Sequence, residues 1–434
     1  MKPLDFGRSD DPHVQAQLDR LSALSVPQGR FGLDTIRALM ERLGNPHRKL
    51  PPVFHVAGTN GKGSTCAFLR AMLETQGYRV HVTTSPHLVR YNERIRLAGE
   101  LISDAELAAV LAEVLDAGED LGPSFFEVTI AAAFLAFSRT PADACVVEVG
   151  MGGRFDATNV LEPEALAVCG IAALGLDHER FLLAPEGGVP TEPMARIGFE
   201  KAGIAKRGVP LVTLGYEDAV LEAVAAQAER AGAVLRDEGR HWHYGIGIGE
   251  RVGLTVAGKA MMLPPPALAG DHQYANCALA AAMIRYQNRI EVPLAALKDG
   301  ARNARWCARM QRLAPGPLTG TREVWLDGGH NPQAGAMLGA HFAGQRLHLV
   351  IGMIEGKDPA AITVPLAPSI ASITAVPVQG HDWHPAEAFG REARPAPELP
   401  SAMAMIPDDG LPVLIAGSLY LAGEALRLND ELPD

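Results

Sequence analysis

The stretch Val53-Phe-His-Val-Ala-Gly-Thr-Asn-Gly-Lys-Gly-Ser-Thr65 constrains this chain more than any other. Val53 to Ala57 is an apolar run of the kind that forms a buried strand. Glycines at 58, 61 and 63 turn it into an amphipathic helical run from Thr65 to about Gln76. Strand, glycine turn and helix start together form a cradle for a nucleotide phosphate. Without Cβ atoms in the way, several backbone N–H groups can converge on one anion. Lys62 adds a point charge for the terminal phosphates, and Ser64 or Thr65 offers a hydroxyl to a magnesium ion. The general pattern G-x-x-x-x-G-K-[ST] is not met, because Val56 stands five positions before Gly61 and Gly63 follows Lys62. A glycine-rich turn that carries a lysine also serves elsewhere as a plain structural bend.

Composition sets the frame around this stretch. At 434 residues the chain exceeds a typical single core, so two domains are expected. The longest largely apolar run, Val128 to Phe137, is far short of the roughly 20 residues a membrane helix needs. The N-terminus, Met1-Lys-Pro-Leu-Asp5, is too polar for a secretion signal. Cysteines 66, 145, 169, 277 and 307 form no C-x-x-C pair, which suggests reduced thiols in the cytoplasm rather than disulfides or a zinc site. A net charge of −11 argues against a nucleic-acid surface but not against small anionic substrates.

Taken in order, residues 1–24 read as a polar, partly helical lead-in, and Asp34 as the N-cap of a helix over 35–43. A strand over 79–83 follows the first helix, giving a βαβ unit and hence a parallel sheet. Helices are expected over 104–117, capped by Ser103 or Asp104, and over 127–137. Buried strands are expected over 144–149 and 165–172. A Pro- and Gly-rich loop from about 184 to 193 leads into a helix carrying Glu200-Lys201. Strand 211–214, helix 218–232, a Gly-rich strand pair around 244–256 and helix 275–287 complete this half. Beyond about Asn303 the pattern restarts, with strands 323–327, 347–352, 371–376 and 411–416, helix 333–343 and a last helix from Ser418. The Pro- and Ala-rich stretch 385–400 reads as a loose surface region. The expected fold class is α/β: a P-loop-type, mainly parallel sheet domain over 1–303 and a smaller Rossmann-like α/β domain over 304–434.

Several residues stand where chemistry is usual. Glu148 ends a buried strand, the place where an open parallel sheet presents ligand groups, and a carboxylate there commonly holds a nucleotide's magnesium. The lesser alternative, given the nearby glycines, is an acid that caps a helix or turn. Asp177-His178 also follows a buried strand, although a lone histidine is more often structural. Lys201 in a helix is ordinarily a solvated lysine, Ser85 before Pro86 an ordinary turn residue, and Phe125-Phe126 ordinary core.

The string Gly58-Thr-Asn-Gly-Lys-Gly-Ser64 resembles the phosphate loop of the folylpolyglutamate synthase and dihydrofolate synthase family, relatives of the Mur ligases. Thr84-Ser-Pro-His-Leu88, Asn92-Glu-Arg-Ile95, Glu148-Val-Gly-x-Gly-Gly-Arg154 and Asp156-Ala-Thr-Asn159 are similar to that family's further motifs. So are Asp177-His178, Glu200-Lys-Ala-Gly-Ile204, Asp327-Gly-Gly-His-Asn-Pro332 and Gly417-Ser-Leu-Tyr420, all in the family's order. The resemblance implies that Ser85, Glu148 and His178 bind Mg2+, and that Lys201, carbamylated by carbon dioxide, becomes a metal-binding carboxylate. It implies ATP contacts from Thr59, Asn60, Gly61, Lys62, Gly63 and Ser64, and from Asn276, Arg309, Asp327 and His330 in the second wall. Cys307 departs from the family's Trp-Pro before the small residue and arginine, which removes a φ restraint near Arg309. The pterin would lie on two loops, Arg30-Phe31-Gly32-Leu33 and Ser124-Phe125-Phe126-Glu127, with Phe155, Asp156 and Ala157 nearby. The family spacing between His178 and Lys201 is shorter, so this chain carries an insertion within 180–192.

The resemblance thus implies an ATP-dependent ligase with Lys62, His178 and Lys201 as catalytic residues, acting in the cytoplasm as a monomer without nucleic-acid or membrane partners. Its substrates would be dihydropteroate or tetrahydrofolate, L-glutamate and ATP. A Mur-type cell-wall ligase shares the phosphate loop but usually carries Gly-Lys-Thr, with Thr at the place of Gly63. A nucleotide-binding regulator without catalysis would lack metal ligands.

Overall fold

A computed structural model describes residues 7–24, 32–177 and 179–433, with the side chain of Arg180 left aside. Arg30, Phe31 and His178 therefore lie outside the described residues.

The first strand, β1 (Val53–Ala57), is buried along its whole length, as its unbroken apolar run requires. It sits between β5 (Ala144–Glu148) and β6 (Leu166–Ile171) and runs parallel to both. The remaining members are β2 (Val80–Thr83), β3 (Ile95–Leu97), β4 (Glu100–Leu101), β7 (Pro210–Thr213) and β8 (Val234–Asp237). Their order across the sheet is β4-β3-β2-β5-β1-β6-β7-β8, parallel except for the β2–β3 and β3–β4 pairs. Alternation along β1 divides the core. Val53 and Ala57 join a cluster with helices Pro12–Ala23, Asp34–Arg42, Asp104–Gly118 and Phe125–Arg139. Phe54 and Val56 face the other way, against helices Lys62–Thr75, His272–Tyr286 and Leu294–Asn303.

Three antiparallel strands, β9 (Trp242–Ile246), β10 (Val252–Val256) and β11 (Lys259–Leu263), pack on that second face through Trp242, which is fully buried. The Gly-rich pair expected around 244–256 is thus a three-stranded sheet. A six-stranded sheet comes next, built from β12 (Gln311–Arg312), β13 (Val324–Leu326), β14 (Leu347–Ile351), β15 (Ile370–Ala375), β16 (Arg394–Pro395) and β17 (Val413–Ala416). Its order is β12-β13-β17-β14-β15-β16, parallel apart from β12. The fold is therefore mixed α/β with a large, mainly parallel sheet and a second sheet domain.

Three local readings need correction. Asp34 is the first residue of its helix, and Leu33 before it provides no side-chain cap. The helix expected over 127–137 starts at Phe125, because Ser124 and Glu127 form a capping box. The stretch 385–400 is not loose: Phe389, Ala396 and Leu399 are buried, and β16 extends the sheet by pairing with β15. Proline and alanine there made short elements look like surface, while the apolar residues between them supply the packing.

Candidate active site

The phosphate loop runs from β1 into the helix Lys62–Thr75 with Gly61 in the left-handed region, at φ 79°. A Cβ at Gly61 would collide with Asn276 Oδ1, and one at Gly63 would come within 2.6 Å of the Trp306 ring. Glycine is needed at both places because other side chains close over the loop. Asn276 Nδ2 donates to Gln273 Oε1 at 3.0 Å, and Gln273 Nε2 to Ser64 Oγ at 3.2 Å, so the buried helix His272–Tyr286 steadies the loop from behind. Lys62 Nζ donates to the carbonyls of Gly58 and Thr59 at 3.1 and 3.3 Å. Thr59 Oγ1 donates to Gly175 O at 2.9 Å.

Glu148 ends β5 one strand from the loop and is 5 % exposed. The Ser85 amide donates to its Oε2 at 3.2 Å. Burial raises its pKa, opposed by the charge of Lys62 and by that amide. Lys201 lies near the end of helix Pro193–Ala202, where β6, the loop after β5 and this helix meet, and is 3 % exposed. Burial, reinforced by Lys62, brings its pKa down to about 7, against the pull of Asp156, Asp177 and Glu200. A half-neutral amine at neutral pH is a nucleophile, which the solvated lysine expected from a helical pattern is not. Asp177, one residue before His178, is thus within electrostatic reach of Lys201.

The second sheet supplies the facing wall. Arg309 is flanked by two non-glycine residues in the left-handed region, Ala308 at φ 56° and Met310 at φ 47°. Asp327 holds this turn: Met310 N donates to its Oδ2 at 2.8 Å and Gly329 N to its Oδ1 at 2.7 Å. Arg309 is in electrostatic reach of Glu148. His330 is half-buried, and its Nδ1 donates to Gly328 O at 3.0 Å. Asn331 Nδ2 donates to Asn60 Oδ1 at 3.0 Å, and Asn60 Nδ2 to Gln333 Oε1, tying the second wall to the phosphate loop. Lys357 Nζ pairs with Asp177 at 2.7 Å. Gly63, Ser85, Glu148, Trp306, Arg309 and Leu419 line a cavity of about 200 Å³ between the walls.

The loops expected to hold a pterin divide. Phe126 lies against Gly150, just past the end of β5, where a Cβ would strike its ring. Phe125 instead packs edge-on to Tyr91, with ring centroids 5.8 Å apart, as a core residue would. Ser124 and Glu127 cap their own helix through bonds of 2.8 and 3.2 Å. Leu33 is buried, Gly32 is exposed, and Phe155 is 38 % exposed beneath the Arg154 guanidinium at 4.2 Å. Asp156 is buried beside Ala157 and accepts from Met151 N at 2.8 Å, Thr158 N at 3.0 Å and Thr158 Oγ1 at 2.5 Å. Since the Thr158 proton goes to Asp156, His55 Nε2 must donate to Thr158 Oγ1, at 2.8 Å. Burial drives His55 down to about 3, so it is neutral. His55 was not singled out in the sequence because it sits inside an apolar strand; a polar residue in such a run was the only available signal.

No family model matches the chain. The dihydrofolate synthase/folylpolyglutamate synthase of Bacillus subtilis (strain 168) is 35% identical over 350 residues, which is 75% of this chain and 76% of that one. The chain belongs to the dihydrofolate synthase/folylpolyglutamate synthase family. The solved structure of E. coli FolC in complex with DHPP and ADP superposes with a TM-score of 0.83 at 30% identity, covering 96% of this chain and 97% of that one. A bifunctional enzyme of this family with Mn, AMPPNP and L-glutamate bound gives a TM-score of 0.82 at 29% identity, over 98% and 99% of the two chains.

The residues present fit a magnesium nucleotide. Among the described residues no group of three His, Cys, Asp or Glu side chains could hold a metal ion. The donors are instead the Ser85 hydroxyl and Glu148, which line one cavity, and in the first turn of the loop's helix Thr65 Oγ1 is buried without a hydrogen-bond partner among the described residues. These are oxygen donors, as a hard cation prefers.

Proposed function

We propose that this protein is an ATP-dependent ligase that adds L-glutamate to dihydropteroate, and to tetrahydrofolate and its polyglutamates. One observation carries the reading. Lys62, Glu148, Lys201 and Arg309 form one electrostatically coupled set at the ends of two facing sheets, buried or partly buried. Such a set suits the transfer of a phosphoryl group, where charge develops that the protein must match.

In this reading the substrate carboxylate attacks the γ-phosphorus of ATP, giving an acyl phosphate and ADP. The glutamate amine then attacks the acyl carbon and phosphate leaves. Thr59 to Ser64 and Asn276 hold the nucleotide's phosphates, with Lys62 turning from its loop carbonyls to the γ-phosphate. Arg309 approaches from the facing wall, and Asp327 and His330 complete the nucleotide site. Ser85, Glu148, His178 and Lys201 would hold Mg2+, with Lys201 as a carbamate. Bound there, the metal would offset negative charge on the transferring group. Neutral Lys201 can attack carbon dioxide and release a proton, and its depressed pKa supplies that neutral form. Phe126 and Phe155 offer flat faces to the pterin, and Asp156, with its carboxylate held by Thr158, accepts from the pterin's N–H groups. Arg30, Phe31, Gly32 and Leu33 belong to the same substrate site in this reading, while Ser124, Phe125, Glu127 and Ala157 shape the pocket rather than touch the ring.

The domain division falls between residues 303 and 304, after helix Leu294–Asn303 and before β12. In this reading the protein acts as a monomer in the cytoplasm; among the described residues no helix is long and apolar enough to cross a membrane, and a net charge of −11 does not favour a nucleic-acid surface.

Purified protein incubated with ATP, L-glutamate and dihydropteroate should release ADP and phosphate and form dihydrofolate. Tetrahydrofolate in place of dihydropteroate should gain glutamates. Product from a nucleotide-activated muramyl acceptor, with none from either pteroate, would overturn the reading.

A further inference from the structure

The segment between Asp177 and Lys201 folds back onto the site it interrupts. After the short helix Glu179–Leu182, residues 183–192 make an excursion that ends at Glu192, the N-cap of helix Pro193–Ala202. Midway along it stands Glu186, whose side chain is 40% exposed yet makes three charge-assisted hydrogen bonds. Arg154 Nη1 and Nη2 donate to its two oxygens at 2.8 and 2.5 Å, and Arg196 Nη2 donates at 2.9 Å. The two guanidiniums hold its carboxyl down at about 2.

The same two arginines grip Glu200, the neighbour of Lys201. Arg154 Nε and Nη2 donate to it at 3.1 and 2.8 Å, and Arg196 Nε lies 3.0 Å away as an ion pair. Arg196 and Glu200 side chains are each 6% exposed. Two cations therefore balance two anions only because Glu186 is present. Glu200 alone would leave a buried positive charge beside Lys201, an arrangement that costs more than it returns.

The cluster also sits on a junction without slack. Arg154 N donates to Glu200 O at 2.9 Å, and Asn159 Nδ2 bridges Arg154 O and Gly203 O at 2.9 and 3.1 Å. A Cβ at Gly153 would come within 2.7 Å of Glu200 O, and one at Gly203 within 2.5 Å of Arg154 Cα. Leu182, at the start of the excursion, covers Gly152 in the same way, at 3.0 Å. One side of this junction carries Asp156, two residues past Arg154. The other carries Lys201.

We propose that Glu186 is a positioning residue for the ligation reaction, clamping the Lys201 end of helix Pro193–Ala202 against the Gly152–Asp156 loop through Arg154 and Arg196. Segment 183–192 is thus a strap that fixes the separation of a metal-site group and a pterin-site group. The kinetic side of this inference rests on the ligase reading above.

Glu186→Gln keeps the shape and removes the charge. In that variant kcat should fall about tenfold with the KM for ATP within about twofold, as displacement of a reacting group predicts. The magnesium concentration for half-maximal rate should rise, and amide hydrogen exchange over 195–203 and 150–156 should quicken. Glu186→Asp, which keeps the charge, should recover most of the rate. A Glu186→Gln enzyme with unchanged kcat, magnesium response and exchange would overturn the proposal. So would lowered thermal stability with the kinetics and magnesium response intact, since that is what a merely structural contact gives. Wild-type protein that ligates no glutamate would sink the ligase reading instead, and the exchange measurement would still decide the clamp.

Discussion

Glu148 and Asp327 end strands of two different sheets and are buried to nearly the same degree, 5% and 7% exposed. Their partners differ. Asp327 receives two backbone amides, at 2.7 and 2.8 Å, and through them fixes a strained turn around Arg309. Glu148 receives one amide, at 3.2 Å, and is otherwise faced by charges of loops that are themselves poised for a ligand. Burial alone does not separate a ligand group from a scaffold group. The test is whether the chain itself fills the carboxylate's acceptor positions. In this pair the carboxylate with two amides shapes backbone, and the one with a single long bond is held ready for something the chain does not provide.

The largest effect should come from the cation opposite Glu148. Lys62→Ala should lower kcat by at least about a thousandfold, roughly 4 kcal/mol of transition-state stabilisation, with the fold unchanged by circular dichroism. Near-normal turnover would remove the phosphate loop from the chemistry and with it one half of the contrast.

Glu148→Gln should reduce kcat about a hundredfold and raise the magnesium requirement, because the open acceptor loses its charge. Asp327→Asn should behave differently. One of its two oxygens becomes an NH2 group that cannot accept, so either the Met310 or the Gly329 amide loses its partner, about 1–3 kcal/mol of stability is lost and Arg309 loosens. The KM for ATP should rise about tenfold while the magnesium curve stays put. A magnesium titration run on both variants decides the comparison: equal shifts would show that the filled and open carboxylates do the same job.

Phe126→Ala should raise the KM for dihydropteroate a few-fold, about 1 kcal/mol of stacking, and the KM for ATP hardly at all. Equal changes would make Phe126 packing for Gly150 only.

The last effect is on stability rather than turnover, and it is an acid slope. His55 is neutral in the fold with a pKa of about 3, below the ordinary 6.5. Between those values the unfolded chain binds a proton that the folded chain does not. Stability from this group is therefore complete above about pH 6.5 and declines as pH falls toward 3, by up to about 1.4 kcal/mol per pH unit. Denaturant titrations at several pH values should show a shallower slope for His55→Gln. Identical slopes would mean that His55 is not protected by its burial.

Much of the scaffold was legible because it is written in short-range pattern. The apolar run at 53–57 and the glycines behind it point to the strand and turn that are observed, and to a helix that begins three residues earlier than expected, at Lys62 rather than Thr65. Regular alternation of strands and helices gave two sheets, and the position of Glu148 at the end of an apolar strand pointed to the mouth of the first. Helix ends were legible wherever a cap lies close by, as with Ser103 before Asp104. Helix Leu294–Asn303 is not among the expected elements, although its apolar residues recur on one face and Ala296, Leu297 and Ala301 are buried.

By itself, then, the sequence determined which local segments form and which residue types stand at their ends, since backbone geometry and side-chain period act over a few residues. Tertiary structure decided the rest. Whether Lys201 is a solvated cation or a buried, half-neutral amine depends on what packs around it. So does whether Asp327 organises a turn, and whether Glu186, on an exposed loop, finds two arginines 32 and 10 residues away. Charge and hydrogen-bond partners come from distant parts of the chain, and no local period encodes who the neighbour will be.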